Sequence, residues 1–160
     1  MHVSRYRPSK SSFSGPPHPP RRYSRPRPAH DPTKDHRRPL VRLGEDFALA
    51  HLEALGFSLL DRNYATLRGE LDLIVSDGVT LVFVEVKTQR IRIAKPLTDA
   101  TPLKWLSSRQ LALRRPLALA WLYESAHPYT SARDLRFDAI GILVDPEGAL
   151  LKLDHLQAIL

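Results

Sequence analysis

Three ionisable side chains interrupt stretches that are otherwise strongly apolar. Asp72 sits inside Leu71-Asp72-Leu73-Ile74, while Glu85 and Lys87 flank Val86 at the end of Leu81-Val82-Phe83-Val84. Two carboxylates brought together can hold a divalent cation such as magnesium. A lysine beside them can steer a phosphate oxygen or a water molecule. The chemistry within reach of such a set is metal-assisted, in-line hydrolysis of a phosphodiester.

Convergence of the three depends on strand register. Ser76-Asp77-Gly78 carries a hairpin signal between candidate strands over 70–75 and 81–86. A two-residue Asp77-Gly78 loop places residue 76 opposite 79, Asp72 opposite Phe83, and Glu70 opposite Glu85. Strand residues two apart share a face, so Glu70, Asp72, Phe83, Glu85 and Lys87 are expected on one side of the ribbon. Asp72 and Glu85 then become diagonal neighbours, roughly 7–8 Å apart at the backbone. A four-residue loop is expected to keep this same register, and a three-residue loop to shift it by one. Paired, partly buried carboxylates are unfavourable without a proton or a cation between them.

The positioning elements follow from periodicity. Leu43, Phe47, Ala50 and Ala54 recur at helical spacing, with Ala48, Leu52 and Leu55 widening the stripe and Gly56 placed to end it. A short strand is expected over 57–64. The run 81–84 is apolar on both faces, which predicts an interior strand covered on each side. Thr101-Pro102 predicts a capped helix through Lys104, Trp105, Arg109 and Leu113, kinked or split at Pro116. A further strand is expected over 136–144, then a turn at Asp145-Pro146-Glu147-Gly148 and a returning strand over 150–153. Residues 154–160 read as a short helical or irregular closing piece. The fold class is α/β, a mixed sheet flanked by helices.

Composition narrows the remaining choices. The 160 residues include no cysteine, which excludes a disulfide framework, a thiolate metal site and a cysteine nucleophile, and fits a reducing, cytoplasmic setting. No apolar run reaches the length of a membrane span, so no membrane partner is expected. The net charge of +7 is uneven: residues 1–39 carry +8 and residues 40–160 carry −1. Nine of the 14 prolines also fall within 1–39, where Val3 is the only Leu, Ile or Val. That segment reads as a disordered Pro/Arg-rich tail preceding a single domain over 40–160. It could add nonspecific phosphate affinity or recruit a protein partner, or serve only as a solubilising extension.

Asp72 followed, after twelve residues, by Glu85-Val86-Lys87 resembles the motif of the PD-(D/E)XK nuclease superfamily, the restriction-endonuclease-like fold. Gly44-Glu45, Asn63 before Gly69-Glu70-Leu71-Asp72-Leu73-Ile74, Phe83-Val84-Glu85-Val86-Lys87-Thr88, and Arg136-Phe137-Asp138 together resemble the YraN-like bacterial family. That family is described as predicted endonucleases related to archaeal Holliday-junction resolvases. The resemblance covers residues 40–160. It implies a restriction-endonuclease-like central mixed sheet, magnesium or manganese as cofactor, Asp72 and Glu85 as metal ligands, Lys87 as catalytic lysine, and Glu45 approaching the metal from the first helix. A junction-cutting relative also implies a two-fold homodimer.

Other charged positions carry weaker signals. Glu70 is either an acid supporting the site or an exposed strand start. Arg136 and Asp138 point to one side of their strand and read as a structural ion pair. Residues 87–115 hold eight Lys/Arg against one acid, the best patch for a nucleic-acid backbone, DNA first. Arg90, Arg92, Lys104 and Arg109 are its candidate contacts. His51, His127 and His155 show no zinc-site spacing and read as core or surface residues. The expected function is a metal-dependent endonuclease acting on DNA, with a noncatalytic nucleic-acid-binding module or a protein-interaction factor as alternatives.

Overall fold

The computed structural model describes residues 38–92, 97, 100–125 and 132–160. The Pro/Arg-rich tail lies outside the described residues except for Arg38 and Pro39, which belong to the first helix. Helix α1 spans Arg38–Ala54, so it takes in the two residues before the expected domain boundary, with proline in the first turn. Five strands follow: β1 (Ser58–Thr66), β2 (Gly69–Ser76), β3 (Thr80–Arg90), β4 (Asp134–Val144) and β5 (Leu150–Leu156). A 3₁₀ turn, Pro102–Trp105, and helix α2, Ser108–Ser125, connect β3 to β4.

The strands form one mixed sheet in the order β1-β2-β3-β4-β5. Strands β1, β2 and β3 run antiparallel, β3 and β4 run parallel over eleven residue pairs, and β5 turns back on β4. The helical crossover between β3 and β4 is what a parallel pair requires. One face is covered by α1, through Ala48 and Leu52 against Leu73, Val75, Val82, Val84 and Val86. The other is covered by α2, through Leu117, Ala118 and Trp121 against Leu71, Ile74, Leu81 and Phe83. Residues 81–86 of β3 are all buried, as an apolar run on both faces predicts.

Two helix expectations need correction. The buried stripe of α1 is Gly44, Glu45, Ala48 and Leu52, whereas Ala50, Ala54 and Leu55 are exposed. Close approach to β3 sets this rotation: a Cβ on Gly44 would lie 1.7 Å from Thr88 Oγ1. The second correction concerns the break after Thr101-Pro102. Thr101 does cap a turn, accepting from the Leu103 amide at 3.3 Å, but that turn ends at Trp105. Helix α2 starts afresh at a reciprocal cap, with Ser107 Oγ accepting from Gln110 N (3.2 Å) and Gln110 Oε1 accepting from Ser107 N (3.2 Å). Pro116 lies inside α2 without splitting it. Strand β5 also runs to Leu156, three residues further than expected.

Candidate functional site

Strands β2 and β3 pair only from Leu73↔Val84 to Ser76↔Leu81. This register corrects the expected one. Four residues, 77–80, separate the last β2–β3 pair, Ser76↔Leu81, and Asp77 Oδ1 closes that turn by accepting from the amides of Val79 (2.8 Å) and Thr80 (2.7 Å). The longer loop preserves face parity and shifts the pairing by two. Carried one step beyond the last pair, it sets Asp72 opposite Glu85 rather than opposite Phe83.

The two strands do not continue pairing there. Beyond Leu73, β2 stays with β1 through Leu71, Glu70 and Gly69. Beyond Val84, β3 stays with β4 from Glu85 to Arg90. The sheet therefore opens into a fork. Asp72 bridges it, its Oδ2 accepting from the Val86 amide at 2.7 Å where a ladder carbonyl would otherwise stand. Part of the cause lies on β1, where Asn63 has a φ of +54°. In a regular strand consecutive side chains face opposite ways. Here Arg62 and Asn63 both reach Glu45 on α1 (2.8 and 3.1 Å), and the next residue, Tyr64, joins the α2 core. Across from them Leu71 and Leu73, two residues apart, fall in different cores, with Asp72 between them.

Glu85 follows the regular alternation of β3 and is buried on the α2 face. Its Oε1 holds Lys87 Nζ at 2.7 Å, and its Oε2 is paired with Arg114 Nη2 from α2. Arg114, itself buried, also donates through Nη1 to the Glu70 carbonyl. Asp72, Glu85 and Arg114 border a cavity of about 270 Å³ completed by Arg68, Gly69, Glu70, Gln110, Leu113 and Leu117. Burial, and next the negative charge of Glu85, push the Asp72 carboxyl up to about 8. The Val86 amide and the Arg114 guanidinium work against that rise, and Glu45 adds a smaller upward push.

The structure thus brings Asp72, Glu85 and Lys87 together and sorts the other expected residues around them. Glu45 is 2% exposed and held by Arg62 and Asn63, although its charge still reaches Asp72. Among the described residues no three acids or histidines converge as a ligand set, so Glu45 stands outside the pair. Glu70 is an exposed residue whose backbone carbonyl, rather than its place opposite Glu85, ties it to the site. Arg90, Arg92, Lys104 and Arg109 are all exposed and none lines the cavity. Space for the 3₁₀ turn that carries Lys104 comes from Gly141, where a Cβ would lie 2.9 Å from Leu103 Cγ.

Sequence reasoning missed Arg68, Gln110 and above all Arg114. Arg114 had stood among eight basic residues with nothing to distinguish it. The available signal was its place among Leu111, Leu113 and Leu117 on a helix that must cover the sheet. A second group also escaped notice on the opposite face. Asp138 accepts from Arg136 (2.9 Å, twice), from the Ala158 amide (3.1 Å) and from His155 Nε2 (2.8 Å), and His155 Nδ1 meets His51 Nε2 at 3.1 Å. The expected Arg136–Asp138 ion pair is present, and the two histidines extend it.

Comparison with known proteins agrees with the YraN-like resemblance. Residues 44–142 match the model of the uncharacterised protein family UPF0102. A UPF0102 protein of Acidothermus cellulolyticus is 41% identical over 122 residues, covering 69% of this chain and 86% of the relative. Another, from Frankia casuarinae, is 39% identical, with 74% and 92% covered, and one from Geotalea daltonii is 38% identical, with 78% and 91% covered.

Proposed function

We propose that this chain, which belongs to the UPF0102 family, is a metal-dependent endonuclease that hydrolyses phosphodiester bonds in DNA, built on the PD-(D/E)XK plan. The observation that carries the reading is the fork: two carboxylates on neighbouring strands border one cavity, with Lys87 2.7 Å from the second of them. Burial and the charge of Glu85 raise the Asp72 carboxyl to about 8 despite Arg114, the kind of environment that a bound divalent ion would relieve. Two carboxylates with room for water suit magnesium or manganese, which keep several waters and use few protein ligands. Among the described residues nothing resembles the nitrogen-rich set that zinc prefers.

Asp72 and Glu85 would hold the ion. Once bound, it would lower the pKa of a water and draw charge from a phosphate oxygen. The protein's own groups do the remaining work. Lys87 is oriented by Glu85 and offers an ammonium to the attacking water or to a non-bridging phosphate oxygen. The Val86 amide fixes the Asp72 carboxylate through Oδ2 at the edge of the cavity. The exposed Arg90, Arg92, Lys104 and Arg109 are the proposed contacts for the nucleic-acid backbone.

One observation favours a noncatalytic nucleic-acid-binding module instead: both oxygens of Glu85 already have cationic partners, Lys87 and Arg114. A cleavage assay over linear, nicked and branched DNA separates the readings. With magnesium or manganese the wild type should cut, EDTA should abolish cutting, and Glu85→Gln or Lys87→Ala should lower the rate at least about 100-fold while the fold is kept. DNA binding without cleavage under every metal condition would leave the module reading standing.

A further inference from the structure

We propose that Arg114 is a resident counter-ion of the acid pair: it takes the place of a divalent cation at Glu85 and passes to the substrate phosphate when that cation binds. The inference rests on the metal-dependent reading above and assigns its site a built-in competitor.

Among the described members of the 87–115 basic run, Arg114 is the one that is buried; Arg90, Arg92, Lys104, Arg109 and Arg115 are exposed and Lys87 is half-buried. Helix α2 carries it across the open fork rather than over paired strands. There its Nη2 holds Glu85 Oε2 and its Nη1 holds the Glu70 carbonyl. Its Nε is enclosed without a hydrogen-bond partner. An arginine presents five donors in a rigid planar fork, and this one leaves the buried Nε donor unused while the residue borders the cavity.

A cation entering between Asp72 and Glu85 must share Glu85 with two positive groups already there. Lys87 occupies Oε1 and Arg114 occupies Oε2. Like charges a few ångströms apart repel strongly where water is scarce, so the ion and the guanidinium compete. Lys87 sits on the same strand as Glu85 and moves with it. Arg114 comes from a different element and can swing on its long side chain. The ligand best able to take up the displaced guanidinium is a phosphate, which accepts it through two parallel hydrogen bonds. Arg68 and Gln110 line the same cavity and add donors for that group. The free protein would therefore bind metal weakly, and metal and nucleic acid would strengthen each other's binding, a reciprocal coupling between the two ligands.

Manganese binding to the full chain, measured by calorimetry and by electron paramagnetic resonance, tests this without reliance on turnover. Without DNA, Arg114→Gln should bind manganese at least about 5-fold more tightly than wild type, the lower end of ordinary coupling. With calcium as a non-cleaving ion, the same variant should bind duplex DNA more weakly, and the mutual strengthening should disappear. Arg114→Lys keeps a cation at Glu85, so its manganese affinity should stay near wild type while its DNA affinity falls. It answers the question if Arg114→Gln does not fold. Equal manganese affinity in wild type and Arg114→Gln, or weaker binding in the variant, would overturn the counter-ion role and leave the metal reading intact. No manganese binding by any of the proteins, with Glu85→Gln indistinguishable from wild type, would overturn both.

Discussion

Asp72 and Asp138 are aspartates of the same sheet, and their surroundings drive them in opposite directions. Asp138, on β4, is 1% exposed. Burial alone would raise its pKa, yet hydrogen bonds from His155, Arg136 and the Ala158 amide outweigh it and hold the carboxyl below its usual value. Asp72, on β2, receives one amide hydrogen bond and faces Glu85, and it rises to about 8. Burial is therefore not what distinguishes a candidate site. Asp138 has donors on both oxygens, so it has nothing left to offer a ligand. At Asp72 the Val86 amide and the Arg114 charge do not offset burial and Glu85. The polar network on the α1 face holds its acid ionised, and the one on the α2 face leaves its acid with a raised pKa.

The largest expected effect tests the network around Asp138. Asp138→Ala should cost about 3 kcal/mol in chemical unfolding, because it removes the buried acceptor shared by part-buried Arg136, His155 and the Ala158 amide. A near-neutral result would break the contrast.

Next in size is Asp72→Asn, expected to act in the opposite sense. Without divalent ions at pH 8 it should stabilise the fold by about 1–3 kcal/mol, less than the full shift implies because the carboxylate can relax toward solvent. The sign follows from a folded pKa above the unfolded one. Between about 3.8 and about 8 the folded state keeps a proton that the unfolded state has released, so wild-type stability falls as pH rises through that window. The gap between variant and wild type should close below about pH 4. The same variant should lose manganese binding, trading function for stability. Thermal unfolding across pH 4–9, with and without manganese, checks both halves.

The smallest effect is a control. Ser107→Ala removes the reciprocal cap of α2, away from both aspartates, and should cost about 1 kcal/mol with no change in the shape of the pH profile. A pH-dependent loss would mean that α2, through Arg114, is more tightly linked to the fork than the contacts indicate.

Much of the frame was legible in near neighbours. Alternation on β3 sets Glu85 and Lys87 on one face, the unbroken apolar run marks an interior strand, and Arg136 and Asp138 share a side because they are two residues apart. The class of sheet and the acid–lysine set follow from these local periods. The rotation of α1 was less legible, since Gly44 offers space rather than hydrophobicity and registers in no apolar stripe. The Ser107–Gln110 cap was legible and overlooked in favour of the stronger proline signal at Pro102.

The sequence by itself determined which residue types stand on which strands, because side-chain direction within a strand is a local property with period two. Tertiary structure decided what those residues meet. The four-residue Asp77–Thr80 loop, the positive φ of Asn63 and the parting of β2 from β3 set Asp72 against Glu85. Arg114 arrives from 29 positions beyond Glu85 because α2 must cover that face to bury Leu117 and Trp121. Such convergence is fixed by loop closure, twist and packing, which sum over the whole chain and leave no periodic trace in any one segment.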